Sequence, residues 1–103
     1  MFFKRRKRDL SAHLYAGNLT FDATEEMLTA AISPIAPVEE VFIARNEAGL
    51  FMGYAFVRMR SVDDVSRVVE QLHGKPIGAR DCFLTPATDN ADLWSRAASL
   101  RDR

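Results

Sequence analysis

Apolar residues recur along this chain with two different periods. Over Ser11 to Leu19 they alternate in twos, as on a strand, so that Leu14 and Ala16 share one face and Tyr15 and Gly17 the other. Thr24 then has the chemistry of a helix N-cap, followed by Glu25 and Glu26 where the helix dipole favours carboxylates. Met27, Leu28, Ala31 and Ile32 fall at helical spacing, and Pro34 and Pro37 stop that helix near Ser33. Val38 to Arg45 returns to alternation, with Val41 and Ile43 inward and Glu40, Phe42 and Ala44 outward. Asn46-Glu47-Ala48-Gly49 signals a hairpin turn. In Met52 to Met59 the residues Tyr54, Phe56 and Arg58 point one way, and Ala55, Val57 and Met59 the other. Ser61-Val62-Asp63-Asp64 resembles a capping box and opens a second helix with a stripe of Val65, Val68, Val69 and Leu72. Residues 74–79 have turn chemistry throughout, and Arg80 to Pro86 reads as a fourth strand with Cys82 and Leu84 inward, Phe83 and Thr85 outward. Beyond a cap-like Thr88-Asp89-Asn90, Leu93, Ala97 and Leu100 lie at helical spacing beside Trp94 and Ala98. This is a short amphipathic helix that needs a surface to lie on.

The order strand–helix–strand–strand–helix–strand is the split βαβ arrangement. It predicts an α+β, ferredoxin-like βαββαβ sandwich, with a four-stranded antiparallel sheet and an extra C-terminal helix. Right-handed crossovers place both central helices on one face of the sheet and leave the other without cover from them. Residues 11–88 form the domain on this reading, with an arm over residues 1–10 and a helical tail over residues 89–103.

Charge changes the picture more than composition does. The sequence has 103 residues, enough for one core, and no apolar run approaches the ~18 residues of a membrane span. No signal-peptide pattern opens it, and the single Cys82 has no partner for an internal disulfide or a thiolate metal site; the expected address is cytoplasmic, or nuclear in a eukaryote. The formal net charge is zero, but it is unevenly spread. Lys4, Arg5, Arg6, Lys7 and Arg8 against Asp9 give residues 1–10 a charge of +4, and six cations against ten carboxylates give residues 11–88 a charge of −4. The five cations suit gripping a phosphate backbone, and they equally suit a solvated tail or a nuclear address. Catalysis finds no support. His13 and His73 lack an acid or nucleophile pattern, the adjacent Glu25 and Glu26 cap a helix, and no phosphate-cradling glycine loop, metal spacing or cofactor site is written in the chain.

Two stretches carry a resemblance. Met52-Gly53-Tyr54-Ala55-Phe56-Val57-Arg58-Met59 is similar to the RNP octamer of the RNA recognition motif family, matching it at positions two to six, with Met52 in place of the leading cation and Met59 in place of the last aromatic. Leu14-Tyr15-Ala16-Gly17-Asn18-Leu19 resembles that family's RNP hexamer, one helix and one strand upstream. The resemblance covers Ser11 to about Thr88. It implies single-stranded RNA as partner, or single-stranded DNA, with Tyr15 and Phe56 each stacking a base and Tyr54 lying against the sugar between them.

The residues assigned to the open face are Tyr15, Phe42, Met52, Tyr54, Phe56, Arg58 and Phe83, with Asn18 at its edge. Flat rings and a cation there suit unpaired bases. The alternative is a protein-interaction module, or self-association, through the same apolar face or the loop at residues 50–52. Leu93 and Trp94 are candidates for a lid over the face, either displaced by RNA or forming a permanent second core layer.

Overall fold

Two side-chain caps fix where the helices begin. The Thr24 hydroxyl accepts from the Met27 amide at 3.1 Å, and the Ser61 hydroxyl accepts from the Asp64 amide at 3.2 Å. In the computed structural model, which describes residues 10–101, they open α1 (Glu25–Ile32) and α2 (Val62–Leu72). The expected reciprocal half of the second capping box is replaced. Asp64 is buried, and its carboxylate takes the Arg67 guanidinium one turn on, at 2.5 Å. The arm cations Lys4, Arg5, Arg6, Lys7 and Arg8 lie outside the described residues.

The strands β1 (His13–Gly17), β2 (Val38–Arg45) and β3 (Phe51–Met59) are followed by a two-residue pair, β4 (Pro76–Ile77) and β5 (Arg80–Asp81), and then by β6 (Phe83–Pro86). The main sheet has the antiparallel order β2-β3-β1-β6. Tyr15 is paired with Phe56 on one side and Thr85 on the other, so the hexamer and octamer residues lie on the two central strands. The fourth strand is shorter than its pattern predicts. Cys82 turns its amide to the Lys75 carbonyl at 2.9 Å and its carbonyl to the Gly74 amide at 2.8 Å, which separates β5 from β6. Residues 76–81 close instead as a small hairpin. Gly78 turns it with φ of +72°, and a Cβ there would lie 2.8 Å from both Met27 and Thr20.

The core fills the side of the sheet that α1 and α2 cover. Leu14, Ala16, Val57 and Leu84 from the strands, with Cys82 between β5 and β6, meet Leu28 and Ile32 of α1 and Val65 and Val68 of α2. This is the alternation expected from the sequence. Phe51 also packs against this core, so the apolar hairpin tip is reduced to Leu50, which is 63% exposed, and Met52.

A second apolar layer lies on the opposite face. The chain leaves β6 through a 3-10 turn (Ala87–Asn90) where a capped start was expected, and the Asn90 side-chain amide donates to the Thr85 hydroxyl at 3.1 Å. Helix α3 (Ala91–Arg101) follows and packs against β2. Trp94 and Ala97 are buried there with Phe56, Ala44, Ala87 and Leu10. Leu10, assigned by charge to the arm, therefore belongs to the folded body: it is buried, and its carbonyl accepts from the His13 amide at 3.0 Å.

Candidate nucleic-acid interface

Alternation along β1 and β3 carries Tyr15, Tyr54 and Phe56 to the face away from α1 and α2, where they form one ring cluster. Tyr15 and Phe56 are 5.6 Å apart between centroids, Tyr54 and Phe56 5.8 Å, and Tyr15 and Tyr54 5.7 Å. Gly17 determines how Tyr15 lies. A Cβ on Gly17 would stand 2.7 Å from the Tyr15 Cε2 and 2.8 Å from its hydroxyl, so the ring rests along the strand over the bare glycine backbone. Gly53 has φ of +91°, and its carbonyl accepts from the Leu19 amide at 3.1 Å, joining the end of the hexamer to the start of the octamer.

The rings are unequally available. Tyr15 and Tyr54 are partly exposed, whereas Phe56 is 1% exposed beneath Trp94. The indole meets Phe56 edge-on at 5.1 Å and 86°, meets Phe42 at 5.7 Å and 90°, and has His13 5.4 Å away. The sheet face expected to stand open is therefore covered over Phe56 and Phe42. His13, read from the sequence as a surface histidine, is part-buried in the same group. Leu93 and Trp94, the candidates for a lid, both lie on this face, Trp94 buried over Phe56 and Leu93 partly buried beside it; which of the rings they would cover was not written in the pattern.

The remaining candidates fall around the rim. Met52 and Phe83 are each 49% exposed, and the Phe83 ring leans toward His73 at 5.9 Å. His73 Nδ1 lies 2.9 Å from the Leu84 carbonyl and 3.1 Å from its amide, at the outer edge of β6. Arg58 and Glu40 pair across β3 and β2 at 3.6 Å, and both side chains are about half exposed, at 48% and 43%. Such a pair contributes about 0–1 kcal/mol, so Arg58 is readily transferred to another anion. Asn18, at φ of +57°, gives its side-chain amide to the Asp81 carbonyl at 2.8 Å and accepts from Arg80. That side chain ties the end of β1 to the β4–β5 hairpin.

Protonation states at the face are simple. Burial, with the neighbouring Tyr54 and Cys82 adding to it, pushes the Tyr15 phenol above its ordinary 10.0. Burial also raises that of Tyr54, against the opposing pull of Arg96. Both rings are therefore neutral hydrogen-bonding surfaces at ordinary pH. Behind them, burial lifts the Cys82 thiol from 9.0 to about 11 and keeps it an inert core group.

A concavity of about 760 Å³ runs between α1 and the outer strand β2. Glu25, Glu26, Glu39 and Glu40 line it, which makes it a poor seat for phosphates. Among the described residues, no group of three or more histidine, cysteine or acidic side chains could hold a metal ion, and no helix is long and apolar enough to cross a membrane.

Comparison with known proteins agrees with this geometry. Residues 14–82 match the RNA recognition motif family. The chain is 29% identical over 80 residues to polyadenylate-binding protein 7 of Arabidopsis thaliana, covering 78% of this chain and 13% of that protein. It is 28% identical over 80 residues to probable RNA-binding protein 23 of Homo sapiens, covering 77% and 18%. It thus spans less than a fifth of the length of either relative. Among solved structures it is similar to the RNA15 RRM, with a TM-score of 0.66 and 26% identity over 81% of this chain and 99% of that one. It is also similar to the Rna15 RRM with bound RNA (GU), with a TM-score of 0.62 and 27% identity over 72% of this chain and 80% of that one. Sequence and sheet topology coincide over the stretch that holds both ring-bearing strands, and the chain belongs to the RNA recognition motif family.

Proposed function

We propose that this chain binds single-stranded RNA, without catalysis, on the sheet face that carries Tyr15, Tyr54 and Phe56. The observation that carries the reading is the three-ring cluster on the two central strands, with Tyr15 laid over Gly17 and Tyr54 beside it. Stacking one base on such a ring contributes about 1–3 kcal/mol, and neutral phenols also offer hydrogen bonds to sugar and base edges. Arg58 supplies a cation that leaves Glu40 for a phosphate, and Met52 and Phe83 extend the apolar rim. The similar Rna15 RRM with bound RNA (GU) supports the choice of ligand.

The arm completes the reading. The domain body is acidic, and Lys4 to Arg8 are the densest cations in the sequence. They would supply the phosphate contacts that the body lacks, and each such contact to a single strand adds about 0.7 to the slope of log affinity against log salt.

The test compares mixed-sequence single-stranded RNA binding by the whole chain, by Tyr54→Ala and by a form lacking residues 1–9. Tyr54→Ala should weaken binding roughly 5- to 150-fold with the fold retained. Removing the arm should flatten the salt dependence. Unchanged affinity in Tyr54→Ala would move the site off this face, and an unchanged slope would remove the arm from it.

A further inference from the structure

The two edges of the main sheet are finished differently. The outer edge of β6 is closed by the chain that follows α2: His73 Nδ1 lies against the Leu84 amide and carbonyl, and Cys82 bonds through its backbone to Gly74 and Lys75. At the other edge β2 runs eight residues and pairs with β3 alone among the described strands. An edge strand of that length presents a row of backbone donors and acceptors to whatever lies beside it. Beside β2 lies the concavity of about 760 Å³ that it shares with α1. We propose that this groove takes an extended, basic segment of a partner protein, which adds to β2 as a further strand, away from the ring-bearing face.

The lining says which segment fits. Ala23 and Ile43 are buried there and Val38 and Val41 partly buried, which gives an incoming strand an apolar floor. Glu25 and Glu26 in the first turn of α1, with Glu39 and Glu40 on β2, set four carboxylates around it against one cation, Arg45. Backbone hydrogen bonds along the edge supply the hold, and the carboxylates select a cationic partner. Nucleic acid is repelled by the same charge. A second copy pairing through its own β2 would bring further carboxylates, its Glu39 and Glu40, into a groove that is already acidic. The register of β2 against β3 shifts between Val38 and Glu40 and again between Ile43 and Arg45. Such irregularities blunt the two ends of the edge and leave Glu40 to Ile43 as the stretch on which pairing is centred.

The probe is an end-capped octapeptide of alternating arginine and valine, titrated without RNA into the whole chain while its amide and ring resonances are followed. It should bind saturably and shift the amides of β2 and of the first turn of α1, with Tyr15 and Tyr54 unmoved. The same peptide methylated on every backbone nitrogen keeps its charge but cannot donate strand hydrogen bonds, and it should lose most of that binding. Glu25→Gln, Glu26→Gln and Glu39→Gln together should weaken the unmodified peptide about tenfold; all three side chains are exposed, so the fold is retained. Equal binding of the methylated peptide would reduce the contact to charge alone and overturn the added strand. Absence of binding, shifts centred on Tyr15 and Tyr54, or an affinity unchanged in the triple variant would overturn the groove. A peptide that binds only the form lacking residues 1–9 would make the chain's own arm the occupant and overturn the assignment to a partner.

Discussion

Trp94 stands edge-on to Phe56 at 5.1 Å and 86°, and each ring is the other's cover: Phe56 is 1% exposed and Trp94 6%. Burying an indole removes about 150–250 Å² from water, a gross contribution of about 4–6 kcal/mol. Against it stands the ordering of α3, at about 1–2 kcal/mol for each backbone residue fixed. The helix is therefore held by a small difference. Trp94→Ala is expected to free α3 and to cost less than the roughly 3–5 kcal/mol usual for a buried tryptophan, because local release caps the loss. Hydrogen exchange should show amides 93–98 opening while those of Leu14 and Val57 stay protected. Equal loss of protection in both would make α3 an integral part of the cooperative fold.

Tyr15 has its place because Gly17 has no side chain. A methyl group at Gly17 would lie 2.7–3.0 Å from three atoms of the Tyr15 side chain, its Cε2, Cζ and hydroxyl. Gly17→Ala should leave β1 intact and lift Tyr15 from the strand, weakening RNA binding by the value of about one stack, roughly 5- to 100-fold. Parallel thermal unfolding and RNA titration check this, with the prediction that affinity falls further than stability does.

Arg58 is shared between Glu40 and the proposed phosphate. Glu40→Gln removes the competing carboxylate and one acidic charge from the sheet edge. Its expected effect is a two- to five-fold gain in RNA affinity at low salt, fading as salt rises, in line with the ~0–1 kcal/mol of an exposed pair. Affinity measured at two ionic strengths tests it.

Cys82 makes stability sensitive to alkali. The native thiol ionises near 11 and the unfolded one near 9.0. The contribution is thus fully present below pH 9, where both states hold the proton, and is lost as pH rises from 9 to 11. The difference of about two pH units corresponds to roughly 2–3 kcal/mol. Denaturant unfolding of the reduced protein between pH 8 and 11 should show this decline, and Cys82→Ala should flatten it from a lower starting stability.

Much of the fold was legible because the residues that decide it act locally. Thr24 and Ser61 cap as their chemistry requires, and alternation sorts Leu14 and Val57 from Tyr15 and Phe56. What escaped depends on contacts distant in sequence. The shortened fourth strand follows from Cys82 bonding back to residues 74 and 75, and Leu10 is buried because Trp94 and Ala97 bring a second layer to it. The candidate face was legible as a set of residues, but its division was not. Leu93 and Trp94 were legible as a lid over the face, but nothing in them names Phe56 and Phe42, rather than Tyr15 and Tyr54, as the rings to be covered.

Where RNA touches the domain decides between the ring-bearing face and the rest of its surface. Mapping amide and ring resonances of the whole chain during titration with mixed-sequence single-stranded RNA should give the largest shifts at Tyr15, Tyr54, Gly17 and Phe83, with the α1–β2 groove around Glu25 and Glu39 unmoved. Shifts confined to that groove or to the Leu50 tip, with the tyrosines silent, would contradict it.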